Sequence, residues 1–254
     1  MKIQTAERAN ENSIDDSPVF KRQLFAYEYS AQFIKGTVLE IGCGEGYGAK
    51  YLSKYAEKYI GIDKYKTSNL ENIENIEFIQ TKVPYLTKIK SNSIDVVVCF
   101  QVIEHIKKDY ILIKEINRVL KKGGIAIIST PNIKMSLTRN PFHVREYTIL
   151  EFNEMVSSYF SIIKLDGVFG DEVFLKYHEE NRISVEKFRR YDIFNFEKWL
   201  PSCILRIPYD ILNSMNRKKL STENKNIVSE ITTANFYVAT GNENCLDFYC
   251  ILTK

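Results

Sequence analysis

The sequence predicts an α/β fold, with a mainly parallel sheet, helices on both faces and a helical insertion near the carboxyl end. Three observations lead there. Apolar runs of strand length recur from residue 37 to residue 130, helical patterns separate them, and the rhythm breaks between residues 171 and 230.

The strand runs are "TVLEIG" (37–42), "KYIGID" (58–63), "IEFIQ" (76–80), "IDVVVCF" (94–100) and "GIAIIST" (124–130). Continuous β-branched stretches of this length suit strands buried on both faces, as in a helix-covered parallel sheet. Between them, "YGAKYLSKYA" and "KKDYILIKEINRVLKKGG" carry apolar residues at helical spacing, and the second is expected to stop at its Gly pair. The link from Asp63 to Ile76 is short. Even with a Ser68 to Glu71 box it holds only about two helical turns, so that crossover is reduced. In "TILEF", Thr148 and Glu151 form a capping box that opens a further helix. "FSIIKLDGVFG" and "CLDFYCILTK" read as the last strands. The insertion between them holds helices over "SVEKFRRYDIFNFEKWL" and "CILRIPYDILNSMN", where Pro201 and Pro208 argue against one unbroken helix. The expected domains are an N-terminal segment and helix (1–36), a core (37–168), the helical insertion (169–230) and final strands completing the core (231–254).

Composition sets bounds on function. A chain of 254 residues with 44% apolar and 13% aromatic content can bury a substantial core. The formal net charge of +3 lends nucleic-acid partners no special support. Five cysteines, an odd number with no C-x-x-C pair, fit reduced thiols and a cytoplasmic location. The first twenty residues lack the apolar core of a secretory signal, and no run reaches the roughly 18 apolar residues of a spanning helix.

The first strand run leads directly into Gly42, Gly44, Gly46 and Gly48. Glycine serves where the backbone takes positive φ or where a ligand lies against the main chain. A helix amino terminus then offers free N–H groups, which suits an anionic or carboxylate-bearing ligand. A dinucleotide fingerprint counted from Gly42 would need Gly or Ala where Tyr47 stands, so that register fails. The G-x-G-x-G form behind Glu40 instead resembles motif I of class I S-adenosylmethionine-dependent methyltransferases. "GIDK", "SNSIDVVVCFQVIEHI" and "INRVLKKGGIAIISTPN" are similar to that family's later motifs in the same order. "NPFHVREYTILEF" resembles a subgroup associated with sugar and surface-glycan modification. The resemblance covers residues 26 to about 168 plus the last strand, and it implies a Rossmann-like seven-stranded sheet whose last strand is antiparallel.

The resemblance also implies S-adenosylmethionine as cofactor, with contacts at Tyr27, Glu40, Gly42, Cys43, Gly44, Asp63, Lys64, Lys82 and Gln101. Asp63 would accept hydrogen bonds from both ribose hydroxyls. The chain departs from the family at three points: Ala26 stands before Tyr27 where the subgroup often has Arg, Thr81 and Lys82 occupy the place of an acidic residue near the adenine, and Gln101 replaces a glutamate. A sugar hydroxyl needs a base, and histidine titrates in the right range. His143 is the first choice and His105 the second. The alternatives are a loop-ordering hydrogen bond for His143 and, for His105 and Glu104, capping of the next helix. A similarity to small-RNA 3′-end 2′-O-methyltransferases would make Glu104, His105 and His143 metal ligands, but Gln101 weakens a hard-cation site and no metal is expected. His178 reads as a surface residue.

The leading expectation is therefore O-methylation of a sugar or glycan precursor. The alternatives are an RNA 3′-end 2′-O-methyltransferase, a small-molecule N-methyltransferase, a nucleotide-dependent oxidoreductase and a silent scaffold. The stretch "FEKWLPSCILRIPYDILNSMNRKK", with its single Trp199, has four readings: packing on the main core with a solvated basic edge, a lid over the acceptor, a homodimer contact, or an interfacial helix beside lipid-linked substrates.

Overall fold

The computed structural model describes residues 17–190, 200–223 and 225–254. Two compact units result. One gathers Ala26–Met135, Arg145–Phe169 and Val238–Lys254; the other gathers Ser136–Val144, Gly170–Tyr237 and the described part of Met1–Phe25. The division falls inside α1 (Ser17–Ser30) and assigns residues 136–144 to the second unit, where the sequence placed them in the core.

The first unit is built on the sheet. The strands of the sheet are β1 (Thr37–Ile41), β2 (Lys58–Asp63), β3 (Ile76–Gln80), β4 (Ile94–Phe100), β5 (Leu120–Pro131), β6 (Ile162–Gly170), β7 (Phe236–Thr240) and β8 (Asp247–Thr253); the division assigns Gly170, Phe236 and Tyr237 to the second unit. They lie in the order β3-β2-β1-β4-β5-β8-β6-β7. The pairings from β3 through β5 are parallel, and β8 is antiparallel to both β5 and β6. Among the described residues the sheet has eight strands rather than seven, because β7 adds an edge beside β6. Its residues are mostly exposed, although "FYVAT" is itself an apolar run of strand length.

The Rossmann-like α/β architecture follows from burial. β1 and β4 are almost wholly interior, and α3 (Asp109–Val119) and α4 (Ile149–Ser157) pack apolar faces into one core with Leu39, Val97, Ile116, Phe152 and Phe248. The Thr148–Glu151 capping box opens α4 with both reciprocal hydrogen bonds. α2 (Tyr47–Leu52) follows the glycine loop. Between β2 and β3 there are turns and no helix, so that crossover is reduced further than its length required.

The helix expected to run to the Gly pair stops at Val119 instead. Leu120 turns extended (φ −62°, ψ 139°) and its buried side chain pairs with Ile94 at the start of the β4–β5 ladder. The next aligned pair is Val96 with Ile125, so residues 121–124 form an irregularity in the strand. A Cβ at Gly124 would press on the carbonyl oxygens of Lys121, Asp95 and Ile94. The Gly pair therefore serves a strand bulge.

In the second unit the described helices are α5 (Glu172–Arg189), α6 (Ser202–Glu223) and α7 (Lys225–Glu230). Asp171 caps α5 by accepting from the Val173 and Phe174 amides at 3.0 and 3.1 Å, and its other oxygen accepts from Asn235 Nδ2 at 2.9 Å. Phe174 packs on Phe236 with ring centroids 4.7 Å apart. α6 continues through Pro208, against the expected interruption, and Pro201 stands just ahead of its first turn. The ring of Pro208 lies on the exposed side, where water can reach the carbonyl oxygen that lost its partner. The helix expected over "SVEKFRRYDIFNFEKWL" is seen as the end of α5; residues 191–199, with Trp199, lie outside the described residues. All five cysteines are free thiols, and among the described residues no helix is long and apolar enough to cross a membrane.

Candidate functional site

The carboxyl ends of β1, β2 and β4 adjoin in the sheet and bring the glycine loop, Asp63 and Gln101 to one end of the first unit. The loop amides are not simply exposed, as the sequence suggested. Gly42 and Cys43 both donate to the Ile62 carbonyl, at 2.8 and 3.1 Å, Gly44 donates to Asp63 Oδ2 at 3.1 Å, and Gly46 donates to the Cys43 carbonyl at 2.9 Å. Most of the bare backbone makes room for this chain's own side chains. A Cβ at Gly42 would strike Val102, one at Gly46 would strike Leu70, and one at Gly48 would strike the Tyr27 ring. Gly44 differs: its φ is +55° and, among the described residues, nothing lies within 4 Å of where a Cβ would stand. Of these four glycines, Gly44 is the one whose bare face opens on space that a ligand can occupy.

Asp63 faces that loop from the end of β2. Its Oδ2 takes the Gly44 amide and its Oδ1 the Tyr65 amide at 2.8 Å. Lys64 and Lys82 are exposed; the Lys64 ammonium lies 5.0 Å from the Tyr65 ring centroid, and the Lys64 carbonyl accepts from Gln80 Nε2 at 3.0 Å.

Tyr27, Glu40 and Cys43, expected as cofactor contacts, are interior side chains at 5%, 1% and 3% exposure. Glu40 accepts from Tyr27 OH through Oε1 at 2.7 Å and from Tyr59 OH through Oε2 at 2.9 Å. Burial pushes the Glu40 carboxyl up to about 7, against the two phenol hydrogen bonds that pull it down. Burial first, and then the Glu40 charge, hold both phenols well above their ordinary range, so they remain donors. This network ties α1 to β1 and β2, with the Tyr27 ring filling the space that Gly48 leaves open.

At the end of β4, Gln101 adopts φ +53°, a conformation disfavoured for a residue with a side chain. Its amide donates to the Ser129 carbonyl at 3.0 Å and its Nε2 to Ser129 Oγ at 3.4 Å. Glu104 is buried and accepts from Thr130 Oγ1 at 3.0 Å, while half-buried His105 places Nε2 3.9 Å from Glu104 Oε1. Neither caps the next helix: the residue ahead of α3 is Lys108, with no side-chain cap. The segment after residue 144 is anchored to α3 through Asp109. One Asp109 oxygen accepts from Arg145 Nη2 and from Tyr147 OH, the latter at 2.8 Å, and the Arg145 guanidinium stacks 4.8 Å from the Tyr147 ring centroid.

His143 belongs to the second unit, in the segment Ser136–Val144. Its amide donates to the Asn140 carbonyl at 3.1 Å, and its Nε2 lies 3.0 Å from Asn140 Nδ2. The Phe142 amide donates to Asn140 Oδ1 at 3.0 Å, which fixes the orientation of the Asn140 side chain. Nδ2 therefore donates and His143 Nε2 accepts, leaving a neutral ring with its proton on Nδ1. His178 sits half-buried on α5 with its ring 6.3 Å from Phe174.

The structure thus joins Gly44 to Asp63, Tyr27 to Glu40, and Glu104 to His105. Sequence reasoning missed Tyr59, Thr130, Asn140 and the Asp109–Arg145–Tyr147 anchor. Asn140 and His143, three residues apart, carried a local signal; the other partners are brought in by strand order.

Residues 39–128 match the family model described as a methyltransferase domain. Over 164 residues the chain is 35% identical to a probable S-adenosylmethionine-dependent methyltransferase of Mycolicibacterium smegmatis, covering 61% of this chain and 63% of that protein. A probable S-adenosylmethionine-dependent methyltransferase of Mycobacterium tuberculosis is 32% identical, with 59% of this chain and 58% of that protein covered. The chain therefore spans about three-fifths of the length of these curated relatives. Among solved structures, a SAM-dependent methyltransferase from Archaeoglobus fulgidus aligns with a TM-score of 0.54 at 16% identity, over 93% of both chains, a likeness of fold.

Proposed function

We propose that the chain is a class I S-adenosylmethionine-dependent methyltransferase and that it methylates a hydroxyl of a sugar or glycan precursor; the match of residues 39–128 to a methyltransferase-domain model and the likeness to probable S-adenosylmethionine-dependent methyltransferases support the first part. The observation that carries methyl transfer is the pairing of Gly44, whose bare face meets none of the described residues, with Asp63 at the neighbouring strand end. That cradle fits the donor: a Cβ would fill it, and the carboxylate beside it can accept from a diol. The bound sulfonium supplies an electrophilic methyl group and leaves as a neutral thioether.

The chain's own residues then have two tasks, positioning and proton removal. Asp63 and the Gly44 backbone hold the donor, with Gln101, Lys64 and Lys82 around them. Tyr27, Glu40 and Tyr59 act through the scaffold, by tying α1 to β1 and β2. His143 is the proposed base, with His105 second. To accept a proton at Nε2, His143 has to exchange its hydrogen bond from Asn140 for one from the acceptor hydroxyl. The sugar acceptor rests on the resemblance of "NPFHVREYTILEF" to sugar-modifying enzymes.

The test is calorimetric titration with S-adenosylhomocysteine, followed by incubation of labelled S-adenosylmethionine with a panel of sugars, nucleotide sugars and lipid-linked saccharides. Absence of heat removes the donor site. Heat without label in any hydroxylated acceptor, but with label in an amine, removes the sugar reading alone.

A further inference from the structure

Within the second unit, one stripe of α6 makes contacts at both ends. Ser202, Arg206 and Tyr209, spaced four and three residues apart, share that stripe over the first two turns of the helix. There it grips the segment that leads to His143. Arg139 Nη1 donates to the Leu200 carbonyl at 3.2 Å, and its Nη2 donates to Ser202 Oγ at 3.0 Å. Three residues on, the Phe142 ring has the Arg206 guanidinium carbon 5.2 Å from its centroid and the Tyr209 ring edge-on at 6.3 Å. Seven residues beyond Tyr209, Asn216 donates to Asn181 on α5 at 2.7 Å, which fixes the far end of the same stripe.

Residues 136–144 form neither helix nor strand, so no backbone ladder orders them and side-chain contacts must offset the entropy of holding them still. The hydrogen bond from Asn140 Nδ2 to His143 Nε2 has both of its ends set by neighbours that α6 holds. Arg139 precedes Asn140, and Phe142, whose amide donates to Asn140 Oδ1, precedes His143. We propose that the first two turns of α6 position His143, with Arg139 and Arg206 as the positioning residues, and keep its ring in the tautomer that has the proton on Nδ1 and a bare Nε2. The inference rests on the reading of His143 as the base. It gives the helical insertion a part in proton removal that the sequence did not assign to it.

The chain has three histidines, so their ring nitrogens can be followed in long-range proton–nitrogen NMR spectra of the full chain and assigned by His105→Gln, His143→Gln and His178→Gln. At neutral pH the parent His143 should show a protonated Nδ1 and a bare Nε2. Arg139→Ala and Arg206→Ala, both at exposed positions where truncation leaves the fold intact, should bring the two His143 nitrogen shifts together as the ring exchanges tautomers, with His105 and His178 unmoved. Arg139→Lys keeps one donor and should restore part of the separation. Ile207→Ala, exposed on the same helix but off the stripe, should change nothing. The two arginine variants should also lower kcat by up to about 100-fold, the scale of a misplaced catalytic group, with affinity for S-adenosylhomocysteine unchanged. A parent ring protonated at Nε2, or a His143 spectrum that neither arginine variant alters, would overturn the proposal whatever the activity. An altered His143 spectrum with unchanged turnover would instead overturn the base assignment on which it rests.

Discussion

The Gly44 amide donates to Asp63 Oδ2 across 3.1 Å, tying the loop after β1 to the carboxylate that ends β2. Asp63→Ala removes both that tether and the proposed acceptor for the donor's hydroxyls. Titration with S-adenosylhomocysteine should show affinity weaker by about 1 to 3 kcal/mol, the scale of a hydrogen bond to a charged group. Unchanged affinity would take Asp63 out of the site.

Two glycines four residues apart should respond differently to the same substitution. Gly48→Ala drives a methyl group into the buried Tyr27 ring and should cost stability in urea unfolding, about 1 to 3 kcal/mol, as overpacking does. Gly44→Ala meets no neighbour and pays only the left-handed backbone cost of about 1 to 2 kcal/mol, yet its methyl group stands in the proposed cradle. Donor binding should fall more for Gly44→Ala than its stability does. Equal donor affinity in Gly44→Ala and the parent protein would show that the open face is not where the donor lies.

The Tyr27–Glu40–Tyr59 network predicts a pH dependence. Glu40 titrates near 7 when folded against 4.5 in its ordinary state, so the unfolded chain gives up this proton first. The favourable contribution is complete below about 4.5, declines as pH rises, and is gone above about 7. The span corresponds to about 3 kcal/mol. Glu40→Gln keeps a group that can bond both phenols but cannot ionise. The difference in unfolding free energy between parent and variant should shift toward the variant between pH 5 and pH 8. A pH-independent difference would mean that Glu40 keeps an ordinary carboxyl.

What could be read in advance was whatever the chain encodes locally. The five strand runs, the Thr148–Glu151 box and the irregular helical stretch after residue 170 all depend on neighbours a few residues away, although β3, at the sheet edge, has no buried residue where burial on both faces was expected. The edge strand β7, the short apolar run "FYVAT", went unread beside the irregular stretch that precedes it. The end of α3 escaped because pairing of Leu120 with Ile94 overrides the Gly pair as a stop signal. The glycine loop could be seen as a site, but not which glycine serves a ligand. Val102, Leu70 and Tyr27, which account for the other three, come from distant parts of the chain. Asn140 was within reach, three residues ahead of His143 and bonded to its ring.

That last contact decides how the base assignment can be tested. His143→Ala should lower turnover about 100-fold or more, the scale of a lost general base, with donor affinity unchanged. Asn140→Ala withdraws the donor that occupies His143 Nε2, so a base acting through that nitrogen should keep its turnover or gain. If Asn140→Ala instead falls as far as His143→Ala, the pair serves to order residues 140–143 and the base is elsewhere. His105→Ala then discriminates: a comparable loss of turnover with intact donor binding moves the role to His105, beside buried Glu104. Activity retained by both histidine variants would remove proton abstraction by histidine from the mechanism.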